Sequence, residues 1–219
     1  MNAIVTVAIG QRSTAIFAVT GPHMERYARV CAADFVCLHE SKVCLGDAKF
    51  EKLQLFDLLD RYERIIYLDC DALVLSTCPS LFDVVPVAAF GAYFDSNGGN
   101  GDAEIGLPKL REEEIASYQA THGEIGWETT YFNSGVMVIG RQHKPMFSYP
   151  AGVARSRHFV DQTFLNYRLQ RAGFTHMDIG KSFNHFAALN RSERMFRTRF
   201  ESHIIHYAGF NEFYPERSI

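Results

Sequence analysis

The sequence contains no apolar run long enough to cross a membrane, because such a helix needs about 18 or more consecutive apolar residues. The apolar stretch near the start, Ala3 to Ile9, covers about seven residues, has no basic residue before it and is followed directly by Gly10. A secretory signal peptide has a basic segment before its apolar core and a small-residue cleavage site after it. We therefore expect a soluble protein without a signal peptide or a membrane span.

Basic charge is also not in excess. The chain has 22 Lys and Arg against 25 Asp and Glu, and its formal net charge is -3. Proteins that bind nucleic acid over a long footprint place many Lys and Arg side chains against the phosphates. The charge balance therefore predicts no nucleic-acid partner.

The cysteines form no recognisable framework. There are five, an odd number, and no CxxC pair occurs among Cys31, Cys37, Cys44, Cys70 and Cys78. This pattern favours neither a set of disulfides nor a zinc knuckle. We expect buried, inert thiols in a reducing compartment, which predicts a cytoplasmic protein.

What the sequence does contain is a regular alternation of strand-like and helix-like segments. With 219 residues, 47% of them hydrophobic, the chain is long enough for one domain with a large core. The first half predicts a β-α-β-α-β unit, a mainly parallel sheet with helices on both faces. Its segments are Ala3 to Ile9, a helix from Pro22 to Ala33 with Pro22 in its first turn, Phe35 to His39, a helix from Asp47 to Asp60, and Ile65 to Leu68.

The second half continues with more polar and more irregular connections. The Gly- and Asn-rich segment Asp95 to Gly106 predicts a long loop, either a binding loop or a tolerated insertion. The regular segments are a strand from Val87 to Phe94, helices from Leu107 to Thr121 and from Val160 to Ala172, and strands from Tyr131 to Ile139 and from His203 to His206.

Two aspartates, Asp69 and Asp71, interrupt the apolar run RIIYLDCDALVL. If the strand continued through them, both carboxylates would lie on the same side of it. Two like charges this close repel, and a divalent cation such as Mg2+ or Mn2+ between them removes the repulsion. The pair on its own is also compatible with capping or ion pairing, and with a haloacid dehalogenase-type phosphatase in which the first aspartate is the nucleophile.

Three further segments carry polar residues in apolar surroundings. YFNSGVMVIG contains Asn133, Ser134 and Gly135, and Gly135 permits a close approach to the backbone. VDQTFLN places Asp161 and Gln162 at the start of a helix, and SHIIHYAG carries His203 and His206.

Together and in this order, the segments resemble the retaining nucleotide-sugar transferases of glycosyltransferase family 8. RIIYLDCDALVL matches the YLDxDxLV element of that family, YFNSGVMVI its FNxGVxxI element, DQTFLN its DQxxLN element and HYAG its HxxG element. The resemblance implies a single domain of the GT-A type over residues 1–219. Its sheet would be Rossmann-like, mixed and mainly parallel, with a nucleotide-binding half at about 1–75 and an acceptor-side half at about 76–219.

The resemblance also implies an activity and a metal site. The activity is the transfer of a hexose from a UDP-sugar, UDP-glucose or UDP-galactose, to a glycan or a small hydroxyl acceptor, with retention of configuration. By position, Asp69, Asp71 and His206 would bind Mn2+, or Mg2+ in its place, against the diphosphate of the donor. The sequence is also compatible with a homodimer.

Further donor contacts follow from the same resemblance. Asp161 and Gln162 would lie at the donor sugar as the catalytic residues, although no nucleophile is assigned. Lys52, or Lys49 one turn away, would supply a basic contact. The remaining donor-binding positions are Ala8, Ile9, Gly10 and Arg12 in the turn after the first strand, Cys70 between the aspartates, Asn133 and Ser134, and Gly209 of the HYAG element.

One position departs from the family. Where relatives carry a phosphate-binding lysine after the HxxG element, this chain has Glu212, and an acid there repels phosphate. A basic residue elsewhere, Lys181 or one within Arg191 to Arg194, would have to replace it. The alternative is a weak or inactive module that binds a nucleotide sugar without transferring it.

Overall fold

The computed structural model describes residues 1–94, 107–150, 159–186 and 199–208. Four features predicted from the sequence lie outside the described residues, namely the loop from Asp95 to Gly106, Arg191 to Arg194, Gly209 and Glu212.

The centre of the fold is a six-stranded mixed sheet in the order β2-β1-β3-β6-β5-β7. Five of its strands run in one direction, and β6 runs antiparallel to both of its neighbours, β3 and β5. A mixed, mainly parallel sheet is therefore confirmed. The strands are β1 (Asn2–Val7), β2 (Asp34–Leu38), β3 (Arg64–Leu68), β5 (Phe90–Phe94), β6 (Phe132–Gly140) and β7 (His176–Asp178).

A second, three-stranded sheet packs beside the end of β3. It consists of β4 (Ala72–Val74), β9 (Ile204–His206) and β8 (His185–Phe186), in that order. The strand β9 pairs antiparallel with β4 and parallel with β8. The sequence predicts β9, the last of these strands along the chain, but not the sheet that β9 joins.

Five α-helices lie within the described ranges, and their bounds are α1 (Gln11–Val30), α2 (Leu55–Arg61), α3 (Leu81–Val84), α4 (Leu107–His122) and α5 (Val160–Ala172). Short 3-10 segments cover Ala48–Gln54, Arg141–Phe147, Lys181–Phe183 and Arg199–Glu201. Among these helices, none is both long and apolar enough to cross a membrane.

The central sheet is buried on both faces, as the alternation along β3 shows. Ile65 and Tyr67 belong to the core under α2, α4 and α5, whereas Ile66 and Leu68 belong to the core under α1 and the small sheet. Successive strand residues point to opposite faces, so a strand covered on both sides is apolar throughout. This double burial is why the charged residues that follow β3 stand out in the sequence.

The prediction that a helix begins at Pro22 is wrong. The helix α1 starts at Gln11, and Pro22 lies in its interior. A proline there removes one backbone hydrogen bond. The helix nevertheless buries one face both before and after Pro22, with Thr20 before it and Met24 and Tyr27 after it. The burial of this face offsets the cost of the proline.

Two other boundaries and one expectation about the thiols also differ. The segment from Asp47 to Asp60 is a 3-10 turn followed by α2, and the strand predicted from Val87 begins at Phe90, because the chain turns after Pro86. Of the five thiols only Cys78 is fully buried, and Cys44 is exposed. The helices predicted from Leu107 and Val160 are confirmed.

Shortening one buried side chain of the central strand β3 tests this arrangement. Ile66 is fully buried in β3, so Ile66→Ala should lower the free energy of unfolding by about 2–5 kcal/mol. Val87 is 66% exposed, and Val87→Ala should change it by about 0.5 kcal/mol or less. Urea unfolding of both variants measures the difference, and equal effects would contradict the described core.

Candidate active site

The two aspartates lie in a tight turn between the two sheets. After Leu68, the backbone N–H of Asp69 donates to the carbonyl of Gly135 at 2.8 Å, and the N–H of Ala72 donates back to the carbonyl of Asp69 at 2.9 Å. The strand therefore does not continue straight through the pair, and Ala72 begins β4 of the second sheet. Both carboxylates remain at the carboxyl end of β3, where the chemistry of α/β sheets collects.

The small sheet brings His206 to the same place. Ala72 lies opposite His206 in the β4–β9 ladder, and the N–H of Tyr207 donates to the carbonyl of Asp71 at 3.1 Å. The His206 Nε2 atom is 3.2 Å from Asp71 Oδ1 and 3.7 Å from Asp69 Oδ2. The three candidate ligand atoms lie within 4.8 Å of one another.

This cluster fits a divalent cation. The buried Nε2 atom of His206 faces Asp71 Oδ1 at 3.2 Å but forms no hydrogen bond of good geometry with the residues that the structure describes, whereas its Nδ1 atom is 2.8 Å from Asn184 Oδ1. An imidazole nitrogen with a second, fixed ring nitrogen and two carboxylates form a donor set typical of Mn2+ and related ions. The residues predicted as metal ligands are thus brought together, and the identity of the metal belongs to the proposal below.

The charges in the cluster shift each other's ionisation. Burial alone would lower the pKa of His206, but the facing carboxylates of Asp71 and Asp69 outweigh burial and raise it. Burial alone would raise the pKa of Asp71, but His206 outweighs it and lowers the pKa. A positive charge between the carboxylates is therefore favoured.

The first residues of β6 lie next to the aspartate turn. Because β6 is antiparallel to β3, its first residues lie beside the end of β3, and Leu68 pairs with Val136. The register with β5 jumps from Ala92–Met137 to Tyr93–Asn133, so residues 134–136 of β6 bulge out of the ladder with β5. Bulges redirect side chains near active sites, and this one lies directly beside the cluster.

Gly135 makes room for the histidine. A Cβ atom at this position would lie 2.0 Å from the Cε1 atom of His206, which is closer than any real contact. The close approach predicted at Gly135 is therefore made by a ring of the second sheet, so no residue with a side chain fits there without displacing His206.

The helix α5 carries the predicted residues Asp161 and Gln162. Asn166 bonds both the N–H and the carbonyl of Phe132 at 2.8 Å, and this pins the helix to β6. The Gln162 side-chain oxygen accepts from Asn133 Nδ2 at 2.9 Å and from the Ser134 N–H at 3.1 Å. The amide of Gln162 is therefore fixed in orientation.

Lys52 connects the aspartates of β3 and α5. Its Nζ atom lies 2.7 Å from Asp161 Oδ2 and 3.1 Å from Asp69 Oδ1, and it donates to the Ser134 hydroxyl at 3.0 Å. Burial would lower the pKa of Lys52, but Asp161 and Asp69 outweigh it and raise the pKa. Lys49 is exposed. Of the two lysines considered, it is Lys52 that lies in the site.

The turn after β1 lies at the same edge. Ala8 is buried and donates to the carbonyl of Leu38, and Gly10 has a φ of 86°, a conformation that favours glycine. Ile9 is half-buried, and Arg12, in the first turn of α1, is exposed.

Cys70 ties this part of α1 to the aspartate turn. Its carbonyl accepts a hydrogen bond from the Thr20 hydroxyl at 2.6 Å. Burial, with the neighbouring Asp71 and Asp69, raises the pKa of Cys70 to about 12. The thiol therefore stays protonated near neutral pH and is unsuited to act as a nucleophile.

Sequence reasoning missed three residues of the site. Asn184 contacts both His206 and Asn133, Tyr67 donates to Asp69 Oδ1 at 2.7 Å, and Thr20 contacts the carbonyl of Cys70. Asn184 is the one with a recognisable signal, a polar residue between the aromatics of SFNHF. Tyr67 belongs to an apolar strand and gives none.

Solved glycosyltransferases share this fold. A glycosyltransferase involved in the glycosylation of the major capsid of PBCV-1 is 10% identical with a TM-score of 0.63, over 95% of this chain and 93% of that one. The galactosyltransferase LgtC, in complex with donor and acceptor sugar analogs, is 18% identical with a TM-score of 0.53, and the match covers 94% of this chain and 87% of LgtC. Mouse xyloside xylosyltransferase 1 is 12% identical with a TM-score of 0.52, over 95% and 98%.

The sheet and the similarity to these structures define a fold of the GT-A type. The family description "Glycosyl transferase family 8" matches residues 33–212. The chain therefore belongs to glycosyltransferase family 8, which implies a nucleotide-sugar donor and a saccharide acceptor. This replaces the phosphatase interpretation of Asp69. No curated protein sequence matches the chain.

Removing the buried lysine tests the charge balance of the site. Lys52→Met leaves Asp69 and Asp161 without their cation, so we expect a loss of about 3–5 kcal/mol in the free energy of unfolding at about pH 7. Acid protonates carboxylates and so removes the negative charges left without a cation, and the destabilisation therefore shrinks as the pH falls. The loss should therefore be smaller at about pH 4.

Urea unfolding at both pH values measures this, and Lys49→Met is the matched control. Lys49 is an exposed lysine of the same 3-10 segment, so its loss should change stability little at either pH. If Lys52→Met lowered the free energy of unfolding equally at both pH values, Lys52 would not be the cation that compensates Asp69 and Asp161.

Proposed function

We propose that this chain is a metal-dependent, retaining hexosyltransferase that uses a UDP-sugar, UDP-glucose or UDP-galactose, as its donor. Its acceptor is a hydroxyl of a saccharide or another small molecule. The observation that carries the proposal is the convergence of Asp69, Asp71 and His206, with the His206 Nε2 atom buried and without a well-formed hydrogen bond to any residue in the described ranges.

Asp69, Asp71 and His206 would bind Mn2+, which Mg2+ can replace. A bound divalent cation offsets the negative charge that grows on the departing diphosphate, without a proton donor. The chain itself supplies the rigid placement of these ligands, since the two aspartates lie in a hydrogen-bonded turn and His206 lies in a paired strand.

The donor sugar would lie against Asn133, Asp161 and Gln162. The Asn133 and Gln162 amides are bonded to each other, and Asp161 accepts from Lys52 and from the Ser134 hydroxyl. Side chains fixed in this way bind a ligand with little loss of conformational freedom. The uridine would lie along the turn formed by Ala8, Ile9, Gly10 and Arg12.

Retention follows in this proposal without a covalent intermediate. The carboxylate of Asp161 is already paired with Lys52 at 2.7 Å, which weakens it as a nucleophile. The acceptor hydroxyl therefore attacks the anomeric carbon from the face that the diphosphate leaves. The bond from that carbon to the phosphate oxygen breaks, the new glycosidic bond forms, and the acceptor proton passes to the leaving phosphate oxygen.

The two proposed halves of the domain both reach this site. Residues 1–75 supply the donor turn, Lys52 and the two aspartates, and residues 76–219 supply Asn133, Gln162 and His206. The metal ligands thus come from both halves. The acceptor would approach from the second half.

The alternative is a module that binds the nucleotide sugar without transferring it. It is motivated by the acid at Glu212, where relatives carry a phosphate-binding lysine. Lys181 is the candidate replacement within the described part of the chain, because it begins the turn that leads to Asn184 beside His206.

A donor panel separates the two functions. With Mn2+ present, UDP-glucose or UDP-galactose should raise the melting temperature and release UDP when acceptor sugars are added. A shift of the melting temperature without UDP release supports the inactive module. If no UDP-sugar shifts the melting temperature with either metal, the transferase proposal is wrong.

The metal dependence has its own test. Asp71→Asn removes one ligand charge, so Mn2+-dependent binding of UDP should fall below detection in calorimetry while the fold is kept. Asp60→Asn is the control, because Asp60 is an exposed aspartate whose partner is Lys144. Unchanged Mn2+ affinity in Asp71→Asn would remove the central claim.

A further inference from the structure

We infer that Asn184 is a positioning residue that fixes the tautomer of His206 and links the metal ligands to the amides at the sugar site. The inference rests on the proposed metal-binding role of His206. It concerns which ring nitrogen carries the proton, and the hydrogen-bond directions around Asn184 decide this.

The first direction is set by the backbone. The N–H of Gly135 lies 2.9 Å from the Oδ1 atom of Asn133. A backbone N–H can only donate, so the atom of Asn133 that meets it must be the amide oxygen. This contact fixes the orientation of the Asn133 side chain.

The second direction follows from the first. The same Asn133 oxygen lies 2.9 Å from the side chain of Asn184, and an oxygen that only accepts must meet the NH2 group of Asn184. The oxygen of Asn184 therefore faces the Nδ1 atom of His206 at 2.8 Å. Since that oxygen accepts, Nδ1 carries the proton and Nε2 presents its lone pair to the carboxylate pair.

The network extends to the sugar side in the same way. With its oxygen used by Gly135 and Asn184, Asn133 donates through its NH2 group to the Gln162 oxygen, which also accepts from the N–H of Ser134. One set of hydrogen bonds thus sets the orientation of His206, Asn133 and Gln162.

Asn184 is well placed for this role. It is fully buried, its N–H donates to the carbonyl of Lys181, and it directly precedes β8, in which Phe186 lies opposite His206. The backbone that carries Asn184 is therefore fixed to the strand that carries His206.

Asn184 and the two carboxylates favour different tautomers of His206. Asp69 and Asp71 attract a proton to Nε2, the nitrogen that faces them, and a proton there blocks metal coordination. The oxygen of Asn184 favours the proton on Nδ1, as fixed second partners of metal-binding histidines do. Without Asn184, the neutral ring should therefore carry its proton on Nε2.

NMR tests the tautomer directly in the metal-free protein. With 15N-labelled histidine, two-bond proton–nitrogen spectra recorded where the His206 ring is neutral should show the proton on Nδ1. In Asn184→Ala, or in the apolar and similarly sized Asn184→Leu if the first variant folds poorly, the proton should move to Nε2. A proton on Nε2 in the unmodified protein, or an unchanged tautomer in a folded variant, overturns the inference.

Ser202→Ala provides the matched control. Ser202 bonds the Nδ1 atom of the other buried histidine of the small sheet, His185, at 2.8 Å. Its loss removes an equivalent hydrogen bond, but His206 should keep its tautomer. A change of the His206 tautomer in this control would point to general loosening of the sheet instead.

Mn2+ binding followed by electron paramagnetic resonance gives the second measurement. Asn184→Ala should weaken Mn2+ about 10- to 100-fold. Asn184→Asp keeps an acceptor for His206 but cannot donate to Asn133, so Mn2+ affinity should stay near that of the unmodified protein while UDP-sugar affinity falls. Equal loss of both affinities in Asn184→Asp would overturn the linkage through Asn133.

The two proposals fail separately. If no donor is turned over but the tautomer responds to Asn184 as described, the positioning role stands and the transferase proposal fails. If sugar transfer occurs and the tautomer ignores Asn184, the positioning role fails alone.

Discussion

The repulsion among three carboxylates at one edge of the sheet is the constraint around which this site is built. Asp69 and Asp71 follow β3, and Asp161 reaches the same edge from α5. Lys52 compensates Asp161 and Asp69, because its buried ammonium lies within 3.1 Å of both carboxylates. Asp71 instead faces His206, whose Nε2 atom is 3.2 Å from Asp71 Oδ1 and 3.7 Å from Asp69 Oδ2. The site thus has one cation built into the chain and a second position that suits a metal.

Two features of the topology create this edge. The antiparallel direction of β6 places its first residues, rather than its last, beside the end of β3. The small sheet then returns the chain after residue 199 to the aspartate turn, where His206 lies opposite Ala72. Residues separated by more than 130 positions in the sequence therefore become neighbours through backbone pairing alone. The side chains need only be of the correct type at the correct strand positions.

Much of this was predictable because apolar strands make charged interruptions conspicuous. The β-α-β-α-β start, β3 and α5 follow from local patterns, and the candidate ligands Asp69, Asp71 and His206 follow from the resemblance to glycosyltransferase family 8. The true start of α1 did not, because its buried face outweighs the local signal of Pro22. The role of Asn184 did not either: SFNHF marks a polar residue among aromatics, but no local pattern points to its contact with Asn133, 51 positions earlier. Local patterns thus identify strands and charges, but not the partners of buried amides.

Gly135 shows how closely backbone and chemistry are joined here. Its missing side chain leaves the space that the His206 ring fills, its carbonyl accepts from the Asp69 N–H, and its own N–H orients Asn133. Hydrogen-bond direction then passes through Asn184 to His206, so the protonation pattern of the proposed metal ligand is set by a main-chain group that cannot reverse its role. Side-chain amides alone could flip together and exchange the two tautomers. Anchoring the network to a backbone N–H removes that freedom, which is why a glycine in a strand next to a bulge has a chemical consequence one sheet away.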